Sequence, residues 1–206
     1  TVLRGHVQEY IRREKPEVIG ISAVTEHYMS AIELAKDIKK DYAPFIAIGG
    51  IHISNIVESL HPVFNAAVLG EGEETVKELL LLLRECPEGK ERLREINGLA
   101  FWKDGKLQIT APRPLFPSID VLPHPDRNSL KSETFVHMLT SRGCPFQCTY
   151  CSSSSFWQKK IRFHSSEYVV DEMRQLVCQC KARHISIWDD LFATNQERLE
   201  RIAELM

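Results

Sequence analysis

Cys144, Cys148 and Cys151 stand in the run Ser-Arg-Gly-Cys-Pro-Phe-Gln-Cys-Thr-Tyr-Cys, which begins at Ser141. Three thiols on so short a loop cannot pair sensibly as disulfides, and an odd number of clustered thiols points to a metal. Three ligands rather than four leave one coordination position open, and an open position is where chemistry happens. Three thiolates can hold three irons of a [4Fe–4S] cluster and leave the fourth iron to bind a substrate or cofactor. The bland alternative is a structural zinc site completed by Cys178, Cys180 or a histidine. Structural zinc sites more often use two separated C-x-x-C knuckles, and the sequence has no second one. Gly143 lets the chain turn into the loop, Pro145 stiffens it, and Tyr150 sets an aromatic ring between the last two thiols.

The six cysteines are not scattered as in a disulfide-stapled secreted domain. The clustering implies free thiols in a reducing compartment, so a cytoplasmic location is expected. A net charge of -2 over 206 residues gives no reason to expect nucleic acid or an anionic membrane as partner. The longest apolar run, Leu79 to Leu83, is far too short to span a bilayer, so no membrane span is expected. No export signal is visible.

The elements that must carry the cysteines alternate between strand and helix. Glu17 to Val24, Phe45 to Ile48 and Ala66 to Leu69 read as buried strands. Between them Tyr28, Ala31, Ile32, Ala35 and Ile38 recur at helical spacing, and Ile53 to Leu60 reads as a short helix. Thr75 to Arg84 is a leucine-rich helix. Parallel strands joined by helices predict a doubly wound α/β sheet. Asp104-Gly105, flanked by apolar runs, predicts a type I′ hairpin at the edge of that unit. The proline-rich stretch from Pro112 to Pro125 reads as an extended linker. After it, Phe135 to Thr140 reads as a strand running into the cysteine loop. Ser165 or Ser166 caps a helix that runs to Val177, Ile185 to Trp188 is the next strand, and Asn195 caps a last helix. The cysteines therefore follow a strand end, where barrel active sites lie.

Three more features fall at successive strand ends of the first unit: Ser22-Ala23-Val24-Thr25, Gly49-Gly50-Ile51-His52 and Gly70-Glu71-Gly72-Glu73. In a doubly wound sheet these share the ligand-binding edge. Small residues there let a bulky group approach the backbone.

The cysteine run resembles the signature of the radical S-adenosylmethionine (radical SAM) superfamily, and the glycine-edged unit before it resembles the domain of its cobalamin-dependent members. The resemblance covers the chain from about Pro16 to its end. It implies three cofactors: a [4Fe–4S] cluster on Cys144, Cys148 and Cys151, SAM on its open iron, and cobalamin. It implies SAM contacts at Tyr150, Asp189, Asp190 and Arg162. It implies cobalamin contacts at Ser22, Thr25, Gly49, Gly50, His52, Gly70, Glu71 and Gly72, with the serine region lining the cofactor's nucleotide tail. The Asp-x-His-x-x-Gly motif whose histidine ligates cobalt in many such domains does not occur. The implied activity is methyl transfer, or ring formation, on a small-molecule or natural-product substrate, with a one-electron donor such as flavodoxin or ferredoxin. A radical SAM enzyme without bound cobalamin is the second reading, and a non-enzymatic zinc or iron–sulfur module the third.

The expected organisation is a cobalamin-binding Rossmann-like domain over 1–97, incomplete at its N-terminus. A hairpin and linker over 98–133 follow, then the first βα units of a partial (β/α) barrel over 134–206. Two parallel strands cannot close a barrel. The chain is thus expected to be a piece of a longer enzyme and to lack turnover by itself.

Overall fold

The computed structural model describes residues 2–86, 89–127 and 135–206. The expected linker residues 128–133, and residue 134 at the expected start of the barrel, lie outside them. The chain divides into two compact units, Thr1–Leu115 and Phe116–Met206.

The first unit opens with α1 (Val2–Glu14), which the sequence pattern does not announce. Among its described side chains only Ile11 is buried, so its amphipathic signal is weak. Polar contacts also hold it: Gln8 Nε2 donates to Asp37 at 3.1 Å and Arg12 Nε to Asp41 at 2.6 Å. Then follow β1 (Val18–Ser22), α2 (Thr25–Asp41), β2 (Phe45–Gly49), α3 (Ile51–Asn55), β3 (Ala66–Val68) and α4 (Glu73–Glu85). β1, β2 and β3 are parallel and lie side by side in chain order. The hairpin β4 (Leu99–Lys103) and β5 (Lys106–Ile109) extends the same sheet antiparallel to β3. Asp104 and Gly105 both have positive φ, 50° and 73°, as a type I′ turn requires. The first unit therefore runs to Leu115, past the expected boundary at 97, because the hairpin is hydrogen-bonded into its sheet.

Both sheet faces are covered, and the period of 2 along each strand sorts the side chains between them. Ile46, Ile48, Ala67 and Ala100 face one core with Tyr28, Ala31, Ile32, Ala35 and Ile38 of α2. Phe45, Ala47, Ala66, Val68 and Leu99 face the other, with Leu79, Leu82 and Leu83 of α4. Each fully buried aliphatic side chain contributes roughly 1.5–3 kcal/mol. The helix expected over 53–60 is shorter and begins earlier. Ile56 leaves helical backbone (φ −133°, ψ 65°), so α3 stops at Asn55 and a 3-10 turn takes Val57–Ser59.

The second unit holds β6 (Phe135–Met138), β7 (Ser141–Arg142), α5 (Ser153–Phe156), β8 (Arg162–Phe163), α6 (Ser166–Cys180), β9 (His184–Ile187) and α7 (Gln196–Leu205). β6 and β9 are parallel, in register from Phe135 opposite His184 to Met138 opposite Ile187. Val136 and Met138 pack with Val169, Val170 and Leu176 of α6 and Ile202 of α7. Ser165 caps α6, accepting from Tyr168 N at 3.2 Å, and Asn195 caps α7, accepting from Arg198 N at 3.0 Å. α6 runs on past Val177 to Cys180, where Lys181 ends it in left-handed backbone (φ 58°). Among the described residues no helix is long and apolar enough to cross a membrane.

Candidate functional site

The strand-end edge of the first unit is laced together by backbone. Ala23 N donates to Gly49 O at 3.0 Å, and His52 N to Ala23 O at 3.4 Å. Gly50 sits at φ 100°, and a Cβ there would lie 2.7 Å from Ala23 O and 2.9 Å from Ser22 Oγ. Its glycine is thus demanded by the approach of two loops, whatever the edge binds. Gly70 differs. It also has positive φ (71°), but nothing lies within 4 Å of a Cβ there, and its amide donates to Ser54 Oγ at 3.0 Å. A Cβ on Gly72 would meet Val68 Cγ1 at 3.2 Å. Ser22 and Thr25 are exposed, Gly49 is half-buried, and Glu71 is buried.

His52 is buried at 8% exposure, and both of its ring nitrogens are engaged. Ser59 Oγ spends its hydrogen on Ile56 O at 2.6 Å, so it accepts from His52 Nε2, 3.1 Å away. In the neutral ring, Nδ1 then accepts from Thr25 Oγ1 at 3.1 Å. The ring also lies 4.1 Å from that of Tyr28, whose hydroxyl donates to Ser59 O at 2.6 Å. His52 therefore ties the start of α2 to the segment after α3.

In the second unit the two legs of the cysteine loop are joined by β7 and β8, with Ser141 opposite Phe163 and Arg142 opposite Arg162. Gly143 enters the loop at φ 98°. Cys144 is half-buried, while Cys148 and Cys151 are exposed. Cys151 N donates to Cys148 O at 3.1 Å, so the backbone between the second and third cysteines makes a turn. Among the described residues, no three cysteine, histidine or acidic side chains are already gathered as a metal would hold them. What the structure offers is an all-thiol donor set on one loop, two of its members exposed. Soft thiolates of this kind suit iron–sulfur ligation. Tyr150, between them, is 91% exposed. Beside the loop lies a hollow of about 730 Å³ lined by Pro145, Phe146, Phe163, Asn195 and Gln196.

The remaining expected SAM contacts divide. Asp190 is exposed and accepts from Ser153 Oγ, which joins the end of β9 to α5. Arg162 donates from Nη1 to Phe116 O at 3.0 Å, and its guanidinium lies 5.4 Å from the Trp157 ring centroid. Asp189 accepts from Thr140 N at 2.6 Å, Ser141 N at 3.1 Å and Thr140 Oγ1. The amides of Thr140 and Ser141, just past the end of β6 at Met138, thus turn to a carboxylate instead of the ladder.

The sequence reading missed Arg198, Thr140 and Asp120. Arg198 is 6% exposed; Nε donates to His164 O and Nη2 to Thr140 O, both at 2.8 Å. Asp120 accepts from His164 Nδ1 at 2.9 Å and from Ser165 N at 3.1 Å, pinning the linker. No local pattern marks any of these residues, because their partners lie 34 to 58 positions away.

Burial holds His164 below its ordinary pKa of 6.5, against the pull of Asp120. Burial pulls Asp120 up, but hydrogen bonds from Ser165 and His164 outweigh it and hold the carboxyl below 3.8. The unfolded histidine takes a proton near 6.5 that the folded one refuses, so stability falls as pH drops below 6.5. The Asp120 contribution is present above 3.8 and is lost at still lower pH. Urea titrations are expected to show a midpoint that declines from pH 6.5 to about 5, with the decline reduced in His164→Gln. A midpoint that rises over that range refutes the assignment.

Comparisons with known proteins bear on both sites. Residues 2–80 match the B12 binding domain family. The chain is 34% identical over 203 residues to an uncharacterized methyltransferase of Pyrococcus horikoshii, covering 93% of this chain and 43% of that protein. It is 30% identical over 189 residues to an anaerobic magnesium-protoporphyrin IX monomethyl ester cyclase of Rubrivivax gelatinosus, covering 84% and 33%. The chain thus spans less than half the length of either relative. Its fold matches TsrM, a radical S-adenosylmethionine methyltransferase from Kitasatospora setae, with a TM-score of 0.76 at 16% identity, covering 98% of this chain and 42% of that one. It matches OxsB, a cobalamin-dependent S-adenosylmethionine radical enzyme, with a TM-score of 0.72 at 19% identity, covering 98% and 30%.

Proposed function

We propose that this chain is part of a cobalamin-dependent radical SAM enzyme, with a corrinoid on the strand-end edge of the first unit and a [4Fe–4S] cluster on the cysteine loop of the second. The observation that carries the reading is the pairing of an all-thiol loop, closed by β7 and β8, with a B12 binding domain match over 2–80 in the same chain. When bound, these groups would supply reductive cleavage of SAM and a transferable methyl group.

The chain's own residues would do the holding. Cys144, Cys148 and Cys151 would ligate three irons. Tyr150, exposed between two of them, and Asp190 would face SAM, with Arg162 a carboxylate contact. On the first unit, Ser22 and Thr25 offer exposed hydroxyls, and Gly70 leaves open space over the backbone. Gly49, Gly50, Glu71 and Gly72 complete that edge. His52, with both nitrogens engaged, would shape that edge rather than ligate a metal. The substrate would be a small molecule and the reaction methyl transfer or ring formation. A one-electron donor such as flavodoxin or ferredoxin and a cytoplasmic location complete the proposal.

Full-length protein reconstituted anaerobically with iron and sulfide is expected to take up about four irons per chain and to release 5′-deoxyadenosine from SAM on reduction. It is also expected to retain hydroxocobalamin through gel filtration, with a changed absorbance spectrum. Stoichiometric zinc with no response to SAM would overturn the cluster half. Failure to retain hydroxocobalamin would overturn the corrinoid half alone.

A further inference from the structure

Asp189 is held in a way that sets it apart from Asp190. Two oxygens accept three hydrogen bonds, two from the consecutive amides of Thr140 and Ser141 and one from the Thr140 hydroxyl. The carbonyl of the same Thr140 is gripped from the other side, by Arg198 Nη2 at 2.8 Å and His164 N at 3.0 Å. Thr140 is fully buried, and Ser141 nearly so. Arg198 is buried too, and burial lowers its pKa while Asp189 raises it, so opposite charges attract across Thr140. Arg198 Nη1 and Ser141 Oγ have no hydrogen-bond partner among the described residues, so the arrangement bears a desolvation cost beside its bonds. Gly143 and the β7–β8 pair then carry the chain from this clamp to Cys144. A carboxylate so occupied has little acceptor capacity left for a bound ligand.

We propose that Asp189, with Thr140 and Arg198, is a positioning residue that sets where the cysteine loop starts, rather than a contact to SAM. The proposal rests on the cluster reading above. Asp189 acts through the Thr140 and Ser141 peptides and so fixes the placement of Cys144 before SAM arrives.

The test uses full-length protein, parent and Asp189→Ala, reconstituted anaerobically. Amide hydrogen exchange at Thr140 and Ser141 is expected to rise about 10-fold or more in the variant. The EPR spectrum of the reduced cluster is expected to change already without SAM, and Asp189→Asn, which keeps shape but loses charge, should fall between. A variant whose SAM-free spectrum matches the parent, with only the SAM-bound spectrum altered, marks a SAM contact and overturns the proposal. Faster exchange with both spectra unchanged marks a merely structural residue and also overturns it, as does unchanged exchange. If Asp189→Ala does not fold, Asp189→Asn and Thr140→Val are read by the same criteria. A parent that takes up no iron overturns the cluster reading, and the positioning role with it.

Discussion

Alanine at Cys144, Cys148 or Cys151, one at a time, is expected to cut the iron of the reconstituted protein from about four atoms per chain to a small fraction of that. Each thiolate would hold a different iron, and two arms cannot retain a cubane that three arms hold. The fold should survive, because Cys148 and Cys151 are exposed and Cys144 is only half-buried. Far-ultraviolet circular dichroism checks that point beside iron and sulfide assays. Cys178→Ala is the control: its thiol is exposed on α6, outside the loop, and iron should be unchanged. Full iron after any one of the three loop substitutions would refute the assignment. Loss of metal on Cys178→Ala would point instead to a closed four-thiol site of the zinc type.

Gly143→Ala is expected to be nearly as damaging by a different route. A Cβ at Gly143 would lie 2.1 Å from Lys160 O and 3.0 Å from Trp157 Cβ, and φ is 98°. The positive φ alone costs about 1–3 kcal/mol. The overlap is with backbone, so a side chain cannot swing away, and overpacking adds about 1–3 kcal/mol more. Relieving the strain by parting β7 from β8 would open the base of the cysteine loop. The expected result is fast exchange of the amides of Ser141, Arg142, Arg162 and Phe163, together with loss of iron. Gly105→Ala is the matched control, with a positive φ of 73° but nothing within 4 Å. If the two variants behave alike, steric closure at Gly143 is refuted.

These two predictions stand at different distances from the sequence. The cysteines are recognisable because a ligand set on one loop is a local pattern. The same holds for the caps at Ser165 and Asn195, whose partners lie three residues on, and for the Asp104-Gly105 turn. The strands of the first unit were legible because β-branched and apolar runs between helical periods have few other uses. α1 was not legible, because among its described side chains only Ile11 is buried and it leans on polar contacts. At Gly50 the sequence does not show that the place of a Cβ is taken by Ala23 and Ser22. Nor does the sequence show that the His52 ring is engaged by Thr25 and Ser59.

By itself, then, the sequence determined which chemistry is available: three soft thiols beside one another, and small residues at successive strand ends. Residue type and short spacing survive without a fold, because neighbours in the chain stay neighbours whatever the rest does. Only the tertiary structure decided which members of those patterns are free to act. Asp189 and Asp190 are adjacent and chemically alike, but one is closed in by amides 48 and 49 residues away and the other is exposed. A hydrogen-bonding group has a limited number of lone pairs and hydrogens. Which of them are already spent depends on distant segments that come together only when the core closes.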